Sequence, residues 1–178
     1  MEPLKRLSRE LMYKGAIIDL YKDKVQAPDG NVQDYDFIGH KGAAAVMPVT
    51  DEGKLLMVRQ YRNALDRFTL EIPAGGLDDK NEPGIVCAAR ELEEETGYKS
   101  NDLEHLISVH TTIAFCNEKI DIYVARNLIP SKQHLDEGEF VEVEAYDIEE
   151  LVEMIYAGEI MDAKTVAAIM AYKNKFCI

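Results

Sequence analysis

Residues 71–98 read EIPAGGLDDKNEPGIVCAARELEEETGY. Four carboxylates occupy five consecutive positions of this stretch: Glu91, Glu93, Glu94 and Glu95. On a helix, Glu91, Glu94 and Glu95 are related by i, i+3 and i+4 and share one face, here called the acidic face. Like charges at this spacing repel one another. The acidic face is therefore either a solvated surface or a site for a hard cation such as Mg²⁺.

The segment from residue 83 to residue 96 predicts an α-helix. Pro83 suits the first helical position, and Gly97 suits the position that ends a helix. Small and apolar residues recur at helical spacing and predict the side that faces the core: Ile85, Ala88, Ala89, Leu92 and Thr96. This pattern places the acidic face away from the core.

The spacing around this helix resembles the Nudix box, G-x5-E-x7-R-E-U-x-E-E-x-G-U, in which U is a bulky apolar residue. The chain matches every glycine and charged position, and Tyr98 stands at the last U: Gly76, Glu82, Arg90, Glu91, Glu94, Glu95 and Gly97. So many residues at fixed spacing make a specific match, which favours the cation site over the solvated surface. The resemblance implies a Nudix hydrolase of the α+β class, an α/β/α sandwich with a mixed sheet.

The resemblance also implies roles for the matched residues. The metal ligands would be the backbone carbonyl of Ala74 and three carboxylates, with Mg²⁺ as the expected ion and Mn²⁺ as the alternative: Glu91, Glu94 and Glu95. Arg90 would act with Glu94 among the catalytic residues, orienting the carboxylates, keeping them ionised and pairing with Glu82. A plain surface pair between Arg90 and Glu94 is the alternative. The remaining box residues would be structural: Gly76, Glu82 and Gly97.

Composition limits the classes of function. The length of 178 residues suits one domain with a small N-terminal appendage. The net charge of −13 argues against nucleic-acid partners, because it repels a phosphate backbone. No stretch approaches the roughly 20 apolar residues that span a membrane. The N-terminus lacks an apolar signal region, and the three scattered cysteines suit a reducing compartment, so a cytoplasmic protein is expected.

The remaining patterns suggest strands before and after the helix. A β-hairpin or a pair of edge strands is predicted within 14–40, and a second hairpin is predicted from two runs that flank the turn DEG, 43–50 and 54–61. Further strands are predicted at 103–110 and 119–126, and helices at 147–157 and 163–175, the last with Asp162 as N-cap. We divide the chain into an N-terminal strand region, 1–40, and a Nudix domain, 41–178. The resemblance implies that the first region is a dimerisation arm and that the protein is a homodimer.

Segments outside the box resemble the ADP-ribose pyrophosphatase branch, and they cover roughly residues 14–172. They include VRQYR at 58–62, LEIPAGG at 70–76 and LDEGEFVEVE at 135–144. This branch implies hydrolysis of ADP-ribose to AMP and ribose 5-phosphate. The branch commonly has S-P-G-F downstream of the box, whereas this chain has Thr112-Ile113-Ala114-Phe115. The difference leaves another nucleotide sugar, such as GDP-mannose, as an alternative substrate.

Three residues outside the box are assigned to the site by the resemblance. Glu137 is the expected general base and Glu139 a further metal ligand, both in a polar loop suited to closing over a substrate. Arg62 is the candidate for binding the substrate's phosphates, with an ordinary strand-end arginine as the alternative. Phe37 or Tyr35 would suit stacking on adenine, but packing is the favoured role for both.

Two rival functions remain. A non-catalytic module that senses a nucleotide would be expected to lose the carboxylates of the box or loop, which this chain retains. An RNA-decapping enzyme of the same family would need a basic face, which the net charge of −13 disfavours.

Overall fold

The computed structural model describes residues 2–177, and within them the chain forms twelve strands and three helices. The elements are β1 (Lys5–Lys14), β2 (Asp19–Gln26), β3 (Val32–Gly39), β4 (Ala43–Pro48), β5 (Leu55–Arg62), β6 (Arg67–Glu71), β7 (Ala74–Gly76), α1 (Gly84–Thr96), β8 (Tyr98–Lys99), β9 (Asp102–His110), β10 (Lys119–Arg126), β11 (Ile129–Pro130), β12 (Val141–Tyr146), α2 (Ile148–Tyr156) and α3 (Ala163–Phe176). Of the helices in this range, none has the length and apolar character needed to cross a membrane.

The chain divides into two compact units. One contains the residues up to Gly42 together with His110–Lys119, and the other contains Ala43–Val109 and the chain from Ile120 onward. The division predicted at residue 40 stays a prediction, since the first unit also takes in the later segment.

The first unit is built on an antiparallel sheet in the order β1-β2-β3. The predicted hairpin is present as β2 and β3, but β1 was not predicted from the sequence. Every residue of β1 is exposed, so its sequence carries no burial pattern that would predict a strand. Arg9 on β1 makes two hydrogen bonds to Asp23, at 2.7 and 2.6 Å, and its guanidinium lies 3.6 Å from the centre of the Phe37 ring. Phe37 therefore has a packing role, as the sequence favoured.

The later segment of the first unit is bonded to the end of β3. The Ile38 amide donates to the Phe115 carbonyl at 2.7 Å. The side chain of Asn117 accepts from the His40 amide at 2.8 Å and donates to the His40 carbonyl at 3.2 Å. These bonds explain why a segment that follows the helix in sequence belongs to the N-terminal unit.

The second unit contains a mixed sheet in the order β7-β4-β10-β9 and an antiparallel sheet in the order β12-β5-β6. In the mixed sheet β4 runs parallel to β10 and antiparallel to β7. The predicted hairpin of 43–50 with 54–61 is wrong. A tight turn does join β4 to β5, but the two strands belong to different sheets, and an isolated bridge between Val49 and Leu55 lies just beyond the end of β4. Since β4 has neighbours on both edges, no edge is left for β5.

Helices cover both faces of the mixed sheet. On β4, Ala44 and Val46 belong to an apolar cluster with Leu92 of α1. The alternate residues Ala45 and Met47 belong to a second cluster, which includes residues of both C-terminal helices: Leu151, Val152, Ala168, Ile169 and Tyr172. Because side chains alternate across a strand, α1 lies on one face and the C-terminal helices on the other. This confirms the predicted α/β/α sandwich with a mixed sheet.

Candidate active site

The helix α1 forms where the sequence predicts it. Pro83 has an extended ψ of 131° and stands just before the first helical residue, one position earlier than expected. Gly97 ends the helix in the left-handed region, with φ 71°, and its amide donates to the Glu93 carbonyl at 2.9 Å. A β-carbon at Gly97 would also stand 3.0 Å from the Gln133 nitrogen, so a glycine is required there for two reasons.

The acidic face does not lie away from the core, and that prediction is wrong. Glu91 and Glu95 are 7% and 5% exposed, whereas Ile85, predicted to face the core, is 44% exposed. Glu91 follows Ala88 by three positions and Glu95 follows Leu92 by three, so both carboxylates share the buried side of α1 with these residues. The helix therefore buries two acidic groups, which no solvated surface would do.

Arg90 binds both the acidic face and the turn before the helix. Its Nη1 donates to Glu91 at 2.6 Å and to Glu94 at 2.9 Å, and its Nη2 donates to the Gly76 carbonyl at 3.0 Å. Its Nε lies 3.7 Å from a carboxylate oxygen of Glu82 and is buried without a hydrogen-bond partner. Arg90 thus does more than the surface pair that was the alternative, and it contacts the residues that the box pattern associates with it.

Arg90 does not fully compensate the buried charge. Burial raises the pKa of Glu91 to about 7, even though Arg90 opposes the shift. The pKa of Glu95 is raised to about 8, mainly by burial and secondly by the charge of Glu91. At Glu91, desolvation outweighs the opposing charge of Arg90.

The turn before the helix fits closely around the two buried carboxylates. The Ala74 amide donates to Oε2 of Glu95 at 3.1 Å. A β-carbon on Gly75 would stand 2.0 Å from Oε1 of Glu91, whereas one on Gly76 would meet no atom within 4 Å. Gly75 is thus the glycine that allows the close approach, and its role was not predicted from the sequence. The two consecutive glycines were the available signal.

The predicted catalytic loop is attached to the end of α1. Between β11 and β12, the Ser131 amide donates to the Gly97 carbonyl at 2.7 Å, and Gln133 Nε2 donates to the Glu95 carbonyl at 2.6 Å. Farther along, the charge of Glu139 contributes to the raised pKa of both buried carboxylates. Glu139 therefore lies within electrostatic range of the site. Glu137 is exposed two residues earlier, and the division of roles between the two stays a prediction.

Arg62 is held by a partner that the sequence analysis did not identify. Its Nε and Nη2 donate to the two oxygens of Glu71, each at 2.7 Å. Burial alone would raise the pKa of Glu71, but Arg62 and Lys164 together hold it near 2. The guanidinium has a further nitrogen, Nη1, and the Arg62 side chain is 41% exposed. Its role in binding phosphates stays a prediction.

The donor set fits a hard divalent cation. Two buried carboxylates with raised pKa values need a positive charge to remain ionised, and carboxylate oxygens are the ligands that Mg²⁺ and Mn²⁺ prefer. Among residues 2–177, no three His, Cys, Asp or Glu side chains are already grouped as a complete metal site. Arg90 Nη1 binds one oxygen of Glu91 and one oxygen of Glu94, and each carboxylate has a second oxygen that can bind an ion.

The site is a single loop–helix–loop unit. It consists of a glycine turn, a helix that buries two carboxylates, and an arginine that binds both the turn and the helix. This unit defines the class of protein. The chain belongs to the NUDIX family, since the NUDIX domain profile matches residues 39–169. Both the family and the fold expected from the box are thereby confirmed.

Three comparisons describe the chain's relatives. It is 41% identical to an ADP-ribose pyrophosphatase of Bacillus subtilis, over 96% of this chain and 93% of that protein. It is 40% identical to a methanol dehydrogenase activator of Bacillus methanolicus, over 93% of this chain and 90% of that protein. The crystal structure of an ADP compounds hydrolase superposes with a TM-score of 0.87 at 20% identity, over 100% of this chain and 98% of that one, and shows the shared fold.

Proposed function

We propose that the protein hydrolyses the pyrophosphate bond of ADP-ribose, giving AMP and ribose 5-phosphate, in a reaction that depends on Mg²⁺. The observation that carries this proposal is the pair of buried carboxylates, Glu91 and Glu95, at the box positions of a chain 41% identical to an ADP-ribose pyrophosphatase. A buried acidic pair whose charge is only partly compensated suits a cation and, through it, an anionic diphosphate. We place the reaction in the cytoplasm, which suits three cysteines that form no disulfide.

Five groups would hold Mg²⁺. They are the carbonyl of Ala74, the loop carboxylate Glu139 and the three box carboxylates, Glu91, Glu94 and Glu95. When bound, Mg²⁺ would neutralise the diphosphate and lower the pKa of water. Mn²⁺ accepts the same oxygen ligands and is the alternative ion. Arg90 keeps the turn and the helix together through the Gly76 carbonyl.

The hydrolysis itself needs a base and a phosphate-binding group. In our proposal Glu137 accepts a proton from water as the water oxygen attacks phosphorus, and the bond from that phosphorus to the bridging oxygen breaks. Arg62 donates through Nη1 to a phosphate oxygen while its other two nitrogens donate to Glu71. The exposure of Glu137 leaves it free to approach the substrate when the loop closes.

A different nucleotide sugar is the alternative substrate. The motif that is usual in the ADP-ribose branch is replaced here by Thr112-Ile113-Ala114, and this favours keeping GDP-mannose as a candidate. The retained carboxylates argue against a non-catalytic nucleotide sensor, although a relative 40% identical is named as an activator of another enzyme.

We further propose that two copies of the chain associate through the β1-β2-β3 sheet. Large apolar side chains stand exposed on β1 and just after it: Leu7, Leu11, Met12, Tyr13 and Ile17. A three-stranded sheet with every residue of one strand exposed has little core of its own. A second copy would bury this apolar surface, and a self-complementary interface is the commonest way in which soluble proteins form dimers.

The proposed function is tested by incubating the protein with Mg²⁺ and a panel of nucleotide sugars, and identifying the products by chromatography. We expect AMP and ribose 5-phosphate from ADP-ribose, with a higher kcat/KM than for GDP-mannose. A preference for GDP-mannose would support the alternative. Hydrolysis of no member of the panel, with either Mg²⁺ or Mn²⁺, would contradict the proposal.

A further inference from the structure

A group of charged residues around the buried pair Glu71 and Lys164 joins β6 to the first turn of α3. At its centre Glu71, 3% exposed, accepts four hydrogen bonds. Two come from Arg62 at 2.7 Å, one from Thr69 at 2.7 Å, and one from the ammonium group of Lys164 at 2.5 Å. Four donors meet the capacity of a carboxylate, so they fix the position of Glu71 and of the guanidinium bound to it.

Lys164 is the link between this group and the helix. It is 8% exposed, and its Nζ also donates to Asp162 at 2.9 Å. A buried ammonium is costly without carboxylate partners, and here it has two. The two acids, Glu71 and Asp162, and the two bases, Lys164 and Arg62, together carry no net charge. Lys164 therefore fixes the start of α3 against the residue that holds Arg62.

Thr165 makes a second connection, to the backbone. Its hydroxyl accepts from the Ile72 amide at 3.0 Å and donates to Asp162 at 2.6 Å, and the residue is fully buried. Two residues after Ile72, the Ala74 amide donates to Glu95. The segment from 71 to 74 is thus tied to α3 at its start and to α1 at its end.

We propose that Lys164 and Thr165 are positioning residues for the candidate site, a role that rests on the proposed function. Lys164 acts through Glu71 to hold Arg62 where it meets a phosphate. Thr165 acts through the Ile72 amide to hold the turn that presents the Ala74 carbonyl and contacts Glu95. The first turn of α3, which contributes no ligand, thereby connects phosphate binding to cation binding.

The role of Thr165 is tested by a matched pair of variants. Thr165→Val removes the hydroxyl at nearly constant shape, and Thr165→Ser keeps the hydroxyl. We expect the Mg²⁺ concentration at half-maximal thermal stabilisation to rise about tenfold in the valine variant and to remain near that of the parent protein in the serine variant. Amide hydrogen exchange at Ile72 and Ala74 should accelerate only in the valine variant. Equal Mg²⁺ midpoints and unchanged exchange would overturn the role.

The role of Lys164 is tested by Lys164→Met, which keeps the length of the side chain and removes its charge. We expect KM for ADP-ribose to rise about tenfold with a smaller change in kcat, because Arg62 loses its fixed position. Lys173→Met is the control and should leave KM unchanged. Lys173 lies near the other end of α3, where it pairs with Glu149. A Lys164→Met protein with an unchanged KM would overturn the role. If that variant does not fold, Lys164→Arg, which keeps the charge, must restore folding and the KM of the parent protein, and failure of either would overturn the role.

Failure of the proposed function would give a different result. In that case the parent protein hydrolyses no nucleotide sugar, whereas the Mg²⁺ midpoint and the exchange of the two amides still report on Thr165. An active parent protein with the same Mg²⁺ midpoint and amide exchange in the valine and serine variants would overturn this inference and leave the proposed function intact.

Discussion

Glu91 packs its carboxylate against the α-carbon of Gly75, so that a β-carbon there would stand 2.0 Å from Oε1. The neighbouring Gly76 has no such constraint, since its β-carbon would meet no atom within 4 Å. The two consecutive glycines therefore differ in whether a β-carbon can be accommodated. Gly75 allows a buried carboxylate to lie directly against the backbone of the turn.

Gly75→Ala should displace Glu91 and weaken cation binding. We expect the apparent affinity for Mg²⁺ to fall by about 10- to 100-fold, the range found when the support of a metal ligand is disturbed. Isothermal titration with Mg²⁺ measures this directly. Gly76→Ala is the control and should bind Mg²⁺ as the parent protein does. Equal affinities in the two variants would show that the contact with Glu91 has no bearing on the cation site.

Mg²⁺ should raise the thermal midpoint, because it relieves the repulsion between Glu91 and Glu95. Glu91→Gln and Glu95→Gln should each remove most of this rise, as measured by differential scanning fluorimetry with and without Mg²⁺. Glu93→Gln is the control on the same helix, since Glu93 pairs with Lys99 and lies outside the box positions. A midpoint in the parent protein that does not respond to Mg²⁺ would count against the site.

Without metal, the protein should lose stability as the pH rises from 6 to 9. Burial raises the pKa of Glu95 from 4.5 to about 8, so the folded state holds this proton more tightly than the unfolded chain does. The resulting stability is complete below about pH 4.5 and is lost as the pH passes through about 8. We expect the thermal midpoint in a chelating buffer to fall by on the order of 5–10 °C over this range. Glu95→Gln should reduce the slope without removing it, because burial also raises the pKa of Glu91 to about 7. Equal slopes in the two proteins would contradict the assignment.

Local rules predicted the helix of the site and its ends. Pro83 and Gly97 act through their own backbone angles, so their effect can be read from the sequence. The box spacing likewise identified the residues that Arg90 contacts. What local rules could not show was burial. Glu91 and Glu95 are polar, and a pattern based on hydrophobicity assigns them to solvent, whereas the fold places them beside Ala88 and Leu92.

The network beneath the site was missed for another reason. Glu71 and Lys164 are 93 residues apart in sequence, and nothing near either residue predicts their contact. The pairing of β4 had the same difficulty, because a turn that joins two strands does not decide which sheet each strand enters. β1 was missed because its exposed side chains give no alternation. These features depend on contacts between distant segments rather than on local propensity.

Arg62→Lys should weaken substrate binding, because a lysine cannot donate twice to Glu71 and still present a third nitrogen to a phosphate. We expect KM for ADP-ribose to rise about tenfold, with a smaller change in kcat, in steady-state assays at saturating Mg²⁺. Arg59→Lys is the matched control on the same strand, where Arg59 pairs with Glu144 on β12. A KM that rises equally in both variants would point to a general effect on β5, and an unchanged KM in Arg62→Lys would remove Arg62 from the site.

Leu11→Glu should dissociate the proposed dimer. Leu11 is 49% exposed on β1, and a second copy that covers this strand would have to bury the new charge without a partner. Light scattering coupled to size exclusion should report about 40 kDa for the parent protein, twice the chain mass of 20.1 kDa, and a shift toward the monomer for the variant. Asn31→Glu, in the exposed turn between β2 and β3, adds the same charge away from the apolar residues and should keep the mass of the parent protein. A parent protein that runs as a monomer at micromolar concentration, or a variant that keeps the dimer mass, would show that β1 does not form the interface.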